Sequence, residues 1–551
     1  MELLTLLARH AGDRLKWLVA LLLLSSLCGV SILAIVNEGI DERLKGEDRY
    51  HLLVLGAGAT VVYMMSHLHV MRRIARYFEE IIIDLRRRLL TRLRHAEYLQ
   101  VQNLDPAEFQ SGISAEMRTI SYGSAIIPEM LHSIFMITII NAYLFLHSPL
   151  AALSCMAFIA VSVFIVASRR VAAEDTFAEA CELENELLGH VGDMIDGFKE
   201  VRMEPSRADQ ISVRVMEVAD RIAAKKEVAL GVYARSVVET QCSFNTLILF
   251  VIFVLPQITD MSVGLFVVAS SLLFISEPML SVVSYLPSLM AANTAARNIL
   301  DLERRLPEPR ITAISANPSC FDNFQEIHFK DVIFGHRTHD GGEFWIGPVN
   351  LSIDRGKIIL VTGGNGSGKS TLLRTLIGLY RVYSGTITVD SMVVEPDNLP
   401  LYRRLFAVVF SDGHLFQELY GIQHIDMELA QAMFEFLEIG HKANITDRRF
   451  STVRLSGGQR KRLSLIAAIL EKKPICVLDE WAADQEPYFR DKFYREVLPR
   501  LRDMGMTVVA ITHDRDYLEV GDVHWHVEAG MIVSVTGENR QDRKQDIALM
   551  S

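Results

Sequence analysis

Ile358-Ile359-Leu360-Val361-Thr362-Gly363-Gly364-Asn365-Gly366-Ser367-Gly368-Lys369-Ser370-Thr371-Leu372-Leu373 decides how this chain is read. The β-branched apolar run predicts a buried strand, the glycines a tight turn, and the residues from Lys369 a helix. Gly363, Gly368, Lys369 and Ser370 fit G-x-x-x-x-G-K-[ST], the phosphate loop. Glycines at such a turn let successive backbone N–H groups wrap a polyphosphate, and the helix behind them points its positive end at it. Gly363, Gly364, Asn365, Gly366, Ser367, Gly368, Lys369, Ser370 and Thr371 are therefore the expected nucleotide-binding residues. Lys369 is placed to reach the β/γ-phosphates, and the Ser370 hydroxyl to help hold Mg²⁺.

Outward from that turn, the C-terminal part alternates short β-type runs with helices, which predicts an α/β domain from Phe324 onward. Ile475-Cys476-Val477-Leu478 reads as a buried parallel strand running into Asp479 and Glu480. An Asp at such a strand end can meet the Mg²⁺ of a nucleotide held by the neighbouring loop. A Glu beside it can orient and deprotonate an attacking water. Between the two lies Leu455-Ser456-Gly457-Gly458-Gln459, which opens a helix. The net charge of −11 argues against a nucleic-acid binder. The six cysteines show no C-x-x-C pairing, so neither a zinc site nor a disulfide framework is indicated.

The N-terminal part has another character. With 551 residues, half of them apolar, and a mean hydropathy of +0.22, the chain needs more than one domain and holds more apolar sequence than a soluble enzyme. Six apolar stretches, Trp17–Val36, Leu52–Val70, Ala125–Leu146, Leu150–Ser168, Phe244–Ile258 and Val263–Val283, read as transmembrane helices. Pro256 and Gln257 interrupt the end of the fifth. Arg9, Arg14 and Lys16 precede the first, an arginine-rich run from Arg72 to Arg94 follows the second, and Arg169 and Arg170 follow the fourth. That bias places both termini on the cytoplasmic side. Two long cytoplasmic arms result. The first carries a helical stripe (Ile74, Phe78, Ile81, Ile82, Leu85, Leu89, Leu93), and their turns are expected near Asp105–Gly112 and Glu204–Gln210. The expected division is a transmembrane domain over 1–305, a proline-marked linker over 306–323 and a nucleotide-binding domain over 324–551. Glu129, Glu277, Gln241 and Asn245 are polar residues inside or at the ends of spans. They face either a water-filled cavity or a neighbouring helix.

The chain resembles the ATP-binding cassette (ABC) transporters over essentially its whole length. The phosphate loop, the LSGGQ signature (Leu455–Gln459), Asp479-Glu480, a D-loop at Ala482-Ala483-Asp484 and a switch histidine, His513, occur in family order. Six helices followed by one cassette look like an exporter half-transporter, and the resemblance implies a homodimer that sandwiches two ATPs with Mg²⁺. It implies Glu480 and His513 as catalytic residues and Ser370 and Asp479 at the metal. It also implies that Ser456, Gly457, Gly458, Gln459 and Asp484 complete the ATP site of the other subunit. Two positions depart from the pattern. Ser411 stands where a Q-loop glutamine is usual, with Asp412 as the alternative. His336 stands where an aromatic residue usually stacks on adenine, with Phe344 or Trp345 as substitutes.

The run Phe450–Leu463, together with Leu478–Pro487 and Val408–Phe416, is similar to the bacterial cyclic-peptide and siderophore exporters, the group with the pyoverdine, syringomycin and lasso-peptide transporters. The implied cargo is a siderophore precursor, cyclic peptide or lipopeptide, exported across the bacterial inner membrane. A lipid or multidrug flippase of the same architecture is the alternative. A non-transporting ABC ATPase acting on a partner protein is a third possibility, against which six fused spans weigh.

Overall fold

The computed structural model describes residues 2–44, 50–102, 104, 106–258, 265–308, 321, 323–337 and 343–536. The chain folds into two compact units. One comprises Met1–Ala96 and Asn103–Pro309, and the other Glu97–Gln102 and Arg310–Ser551.

The first unit is helical: α1 (Glu2–Leu44), α2 (Tyr50–His95), α3 (Met117–His147), α4 (Pro149–Asp196), α5 (Pro205–Leu249) and α6 (Leu265–Arg305). Among the described residues, six helices are long and apolar enough to cross a membrane. Single π-turns, Gly112–Glu116 and Phe250–Val254, join α3 and α5 to short helical continuations. The sharp reversal before α4 is written in Ser148-Pro149. The Ser148 side chain accepts from the Ala151 N–H, and Pro149 needs no donor in the first turn. Glu204 and Pro205 repeat the device before α5.

Helix α3 packs along α6, and α4 along α5. The α3–α6 crossing is close because its residues are small. A Cβ on Gly123 would stand 2.2 Å from the Ala292 Cβ, and Ala292, Ala295 and Ala296 are buried. Helices surrounded by lipid gain little from hiding apolar surface, so close backbone approach supplies the attraction. The stripe expected on the first arm is buried from Ile74 to Leu89. The turn of that arm, however, comes earlier than the sequence suggests. Pro106 already opens a helix, Pro106–Ser111, and the break lies around the short helix Tyr98–Gln102, which belongs to the second unit. In the second arm the chain breaks at Glu204, as expected, but Pro205 through Gln210 are helical.

The second unit is built on a six-stranded sheet. Its strands and those of the smaller sheet are, in chain order, β1 (Glu326–Arg337), β2 (Glu343–Asp354), β3 (Ile358–Gly363), β4 (Ser384–Val389), β5 (Met392–Val393), β6 (Phe406–Val409), β7 (Ile445–Thr446), β8 (Arg449–Phe450), β9 (Ile475–Asp479), β10 (Thr507–Ile511), β11 (Val523–Glu528) and β12 (Met531–Thr536). The large sheet runs β12-β11-β3-β10-β9-β6, parallel except at β12. Strands β2-β1-β4-β5 form an antiparallel sheet, and β7-β8 a two-stranded ribbon. Strands β9 and β10 are buried throughout and β3 in all but its last residue, which suits parallel strands covered on both faces. Their carboxyl ends share one edge, the edge where open α/β sheets bind ligands. Two helices matter at that edge: α7 (Lys369–Leu376) after β3, and α8 (Gly457–Leu470) before β9. Tyr98 and Gln102 join this unit at Tyr380, by a ring contact at 5.6 Å and a hydrogen bond from the Tyr380 hydroxyl.

Candidate active site

Strand β3 ends at Gly363, and the chain reverses through Gly364–Gly368 before α7 begins. Gly363, Gly366 and Gly368 have φ of +156°, +75° and +100°, and a Cβ on Gly363 would stand 2.2 Å from the Val527 carbonyl oxygen. No other residue type adopts these angles in that space without strain. Lys369 Nζ lies across the turn, donating to the carbonyls of Gly363 at 3.1 Å and Gly364 at 2.9 Å. Burial pulls the Lys369 ammonium below its ordinary range, while Glu480 and Asp479 pull it back up. Among the described residues, the buried Ser367 Oγ has no hydrogen-bond partner. Asn365 is exposed, and Thr371 lies in the first turn of α7. A buried orphan hydroxyl, an ammonium and the open N–H groups of a helix start together fit a polyphosphate.

The expected metal-binding residues meet on one carboxylate. Ser370 Oγ donates to Asp479 Oδ1 at 3.3 Å, and Ser411 Oγ to Asp479 Oδ2 at 3.0 Å. Asp412 turns elsewhere, to Arg374 at 3.4 Å. Burial pushes the Asp479 carboxyl up, the bonds from Ser411 and Ser370 pull it down, and Glu480 adds to the upward push. One carboxylate flanked by two hydroxyls is a set of hard oxygen donors, which fits Mg²⁺.

Glu480 follows Asp479 in a left-handed conformation, φ +49°. Such a backbone costs a non-glycine residue about 1–3 kcal/mol and persists only where neighbours hold it. Here Lys461 on α8 does so, its Nζ donating to the Glu480 carbonyl at 2.7 Å while pairing with Asp484 at 2.8 Å. Trp481 is buried, donates its indole N–H to the Lys461 carbonyl at 2.9 Å and stacks on Phe493 at 4.6 Å. In this setting Glu480 Oε1 lies 2.9 Å from His513 Nε2.

The signature residues start α8. Ser456 is the N-cap and Gln459 its reciprocal partner, in a capping box with bonds of 3.4 and 3.3 Å. Gly458 lies under the D-loop, where a Cβ would stand 2.6 Å from the Asp484 carbonyl oxygen. Gln485 Nε2 donates to the Gly458 carbonyl at 3.0 Å, and Arg462 Nε to Gln485 Oε1 at 3.0 Å. Among the described residues, no hydrogen bond or ion pair joins residues 456–459 to the loop 363–371 of the same chain.

The His336 side chain lies outside the described residues, although its backbone pairs with Phe344 across β1 and β2. Phe344 places its ring beside the loop, 3.1 Å from where a Cβ on Gly368 would be. Trp345 instead covers Gly335. Sequence reasoning missed Lys461 and Gln485 as fixers of the Glu480 and Gly458 backbones. The signal was present in Arg460-Lys461-Arg462 behind the signature, where an amphipathic helix offers little use for three consecutive cations.

The family model described as ABC transporter matches residues 346–483. That span holds the phosphate loop, the signature and the Asp479-Glu480 pair in the geometry just given. This is an ABC transporter ATPase domain. The ligands of such an ABC ATPase domain are ATP and Mg²⁺. The whole chain shares the fold of a solved ABC exporter. It superposes on a structure of a bacterial Atm1-family ABC exporter with ATP bound, with a TM-score of 0.79, at 15% identity, over 97% of this chain and 96% of that one. The ATP-binding protein SyrD of Pseudomonas syringae pv. syringae is 37% identical over 48% of this chain and 49% of its own. An ATP-dependent lipid A-core flippase of Haemophilus influenzae is 31% identical over 50% of this chain and 48% of its own. The chain thus spans about half the length of these curated relatives.

Proposed function

We propose that this ABC chain is a homodimeric, ATP-driven exporter of a peptide-type secondary metabolite, a siderophore precursor, cyclic peptide or lipopeptide. It works in a bacterial inner membrane with both termini in the cytoplasm. The observation that carries the ATPase part is the pairing of Glu480 with His513 beside Asp479, at the mouth of the Lys369 loop. Lys369 and the loop amides bind the β/γ-phosphates. Ser370, Ser411 and Asp479 are the residues that hold Mg²⁺, which supplies charge neutralisation to the phosphates when bound. Glu480 accepts the proton of the attacking water, and His513 orients the Glu480 carboxylate. Ser456, Gly457, Gly458, Gln459 and Asp484 close the ATP site of the second subunit, which agrees with the absence, among the described residues, of a bond from 456–459 to the loop of their own chain. His336 or Phe344 stacks on the adenine.

The test for the dimer uses mixed subunits. Pairing a Lys369→Ala chain with a Ser456→Arg chain leaves one intact composite site, so the mixture hydrolyses ATP while each variant alone does not. Full activity from a chain shown by mass to be monomeric would overturn the assignment.

The peptide cargo is supported by the motif runs around Phe450–Leu463 and Leu478–Pro487 and by the likeness to SyrD. The likeness to the lipid A-core flippase favours a second reading, lipid as cargo. Deleting the gene and following peptide and lipid distribution separates them. A peptide precursor retained in the cytoplasm supports the first, and unchanged peptide with retained lipid supports the second.

A further inference from the structure

Polar side chains from three helices meet inside the membrane unit. His67 Nε2 on α2 lies 3.5 Å from Glu129 Oε1 on α3. The rings of His67 and His132 are 4.8 Å apart, and Tyr63 stacks on His67 at 5.5 Å and 13°. Behind them, Ser26 Oγ on α1 lies 2.8 Å from His132 Nδ1 and 2.9 Å from the Leu22 carbonyl oxygen. A second carboxylate belongs to the same place. Tyr63 on α2 and Tyr285 on α6 each lie within electrostatic reach of both Glu129 and Glu277.

The hydrogen-bonding inventory of this cluster is unbalanced. Glu129 and Glu277 are acceptors, and neither has a lysine or arginine partner among the described residues. His67 uses one ring nitrogen on Glu129, while its buried Nδ1 has no partner among the described residues. The Ser26 hydroxyl donates to the Leu22 carbonyl and lies against His132 Nδ1, whose donor or acceptor role follows its tautomer, so the inner end of the cluster can be satisfied within the protein. Exposure rises across the cluster, from His132 at 8% to the Glu129 side chain at 41%. Carboxylates at membrane depth are retained where they face a pathway or a partner. An open, acceptor-rich end calls for a donor that carries positive charge.

We infer that Glu129 and Glu277 recognise an ammonium or guanidinium group on the transported molecule, with the His67 ring held beside Glu129 by Tyr63 and His132. The inference rests on the exporter reading and narrows its cargo to cationic molecules.

The experiment uses the full-length protein in phosphatidylcholine nanodiscs, whose headgroups carry no N–H. The probe is Nα-dodecanoyl-lysinamide, and its control is the Nε-acetylated twin, neutral but otherwise alike. Binding is measured by equilibrium dialysis with empty nanodiscs subtracted. The ammonium probe binds wild type about tenfold tighter than its twin, as a charge-assisted hydrogen bond gives. Glu129→Gln and Glu277→Gln, checked for folding by gel filtration and ATP binding, lose that preference, whereas Glu129→Asp keeps part of it. Equal binding of the twins, no binding of either, or a preference that survives both glutamine variants overturns the proposal. So does loss of the preference on adding phosphatidylethanolamine, because the occupant is then a headgroup amine. The twin comparison on wild type alone is decisive if a variant does not fold. Absence of ATP hydrolysis by wild type would instead strike the exporter reading.

Discussion

The ATPase domain and the membrane helices gather polar residues in opposite ways. In the ATPase domain each functional side chain sits at a strand end or helix start. Several of them bond across short motifs, as Ser370 and Ser411 both do with Asp479 and His513 does with Glu480. In the membrane unit Ser26, His67 and the Glu129–His132 pair come from three separate long helices and belong to no motif. Parallel strands deliver their ends to one edge by topology, so a few adjacent residues suffice to place a site. Helices meet only where their packing makes them meet, so the same chemistry depends on crossings far along the chain.

The comparison breaks first at Glu480. Glu480→Gln keeps ATP binding and lowers turnover by about 10²–10⁴-fold, read by phosphate release against nucleotide binding. Turnover within about threefold of wild type would move the general base elsewhere and leave the strand-end site without its chemistry. The helix side breaks at Gly123. Gly123→Val forces bulk into the Ala292 contact and destabilises the membrane unit by about 1–3 kcal/mol, seen as a lower unfolding temperature in detergent. Ala292→Gly in the same chain recovers part of that loss if the crossing is the cause.

Two smaller effects sharpen the ATPase side. Lys461→Met removes both bonds that fix the Glu480 backbone and the D-loop. Its kcat falls about tenfold with KM for ATP within about twofold, the split expected of a residue that positions another. A matched change in both constants would show ordinary loss of structure instead. Ser411→Ala removes one of two hydroxyls on Asp479, so half-maximal activity needs about threefold more Mg²⁺ while ATP affinity at saturating Mg²⁺ holds. No change in the Mg²⁺ requirement would return the metal-shell role to Asp412.

The same contrast explains how much was legible beforehand. The phosphate loop, Asp479-Glu480, Ser456–Gln459 and His513 were readable because each is local: glycines where φ is positive, acids at a strand end, a capping serine at a helix start. The six spans were readable from apolar length alone. Glu129 and Glu277 could be singled out as charges in a span, but not their neighbours. His67, His132 and Ser26 are unremarkable in sequence, and only the packing of α1, α2 and α3 brings them together. The turn of the first arm is not legible at Asp105–Gly112 because Pro106, which suggests a break in sequence, begins a helix.

The short helix Tyr98–Gln102 also bears on how the protein is made. The ribosome delivers it long before the rest of the unit it belongs to, since Tyr380 and Gln102 are separated by 278 residues. The ATPase domain therefore finishes folding onto a segment that is already waiting between two membrane helices. A fragment begun at residue 310 would lack that segment, leaving the Tyr380 ring without Tyr98 and the Arg374 guanidinium without the aromatic face it lies over. Cutting the chain after Pro309 likewise would not separate the units cleanly, because the polypeptide has already crossed into the second unit and back. Limited proteolysis at that point should yield two pieces that still elute together.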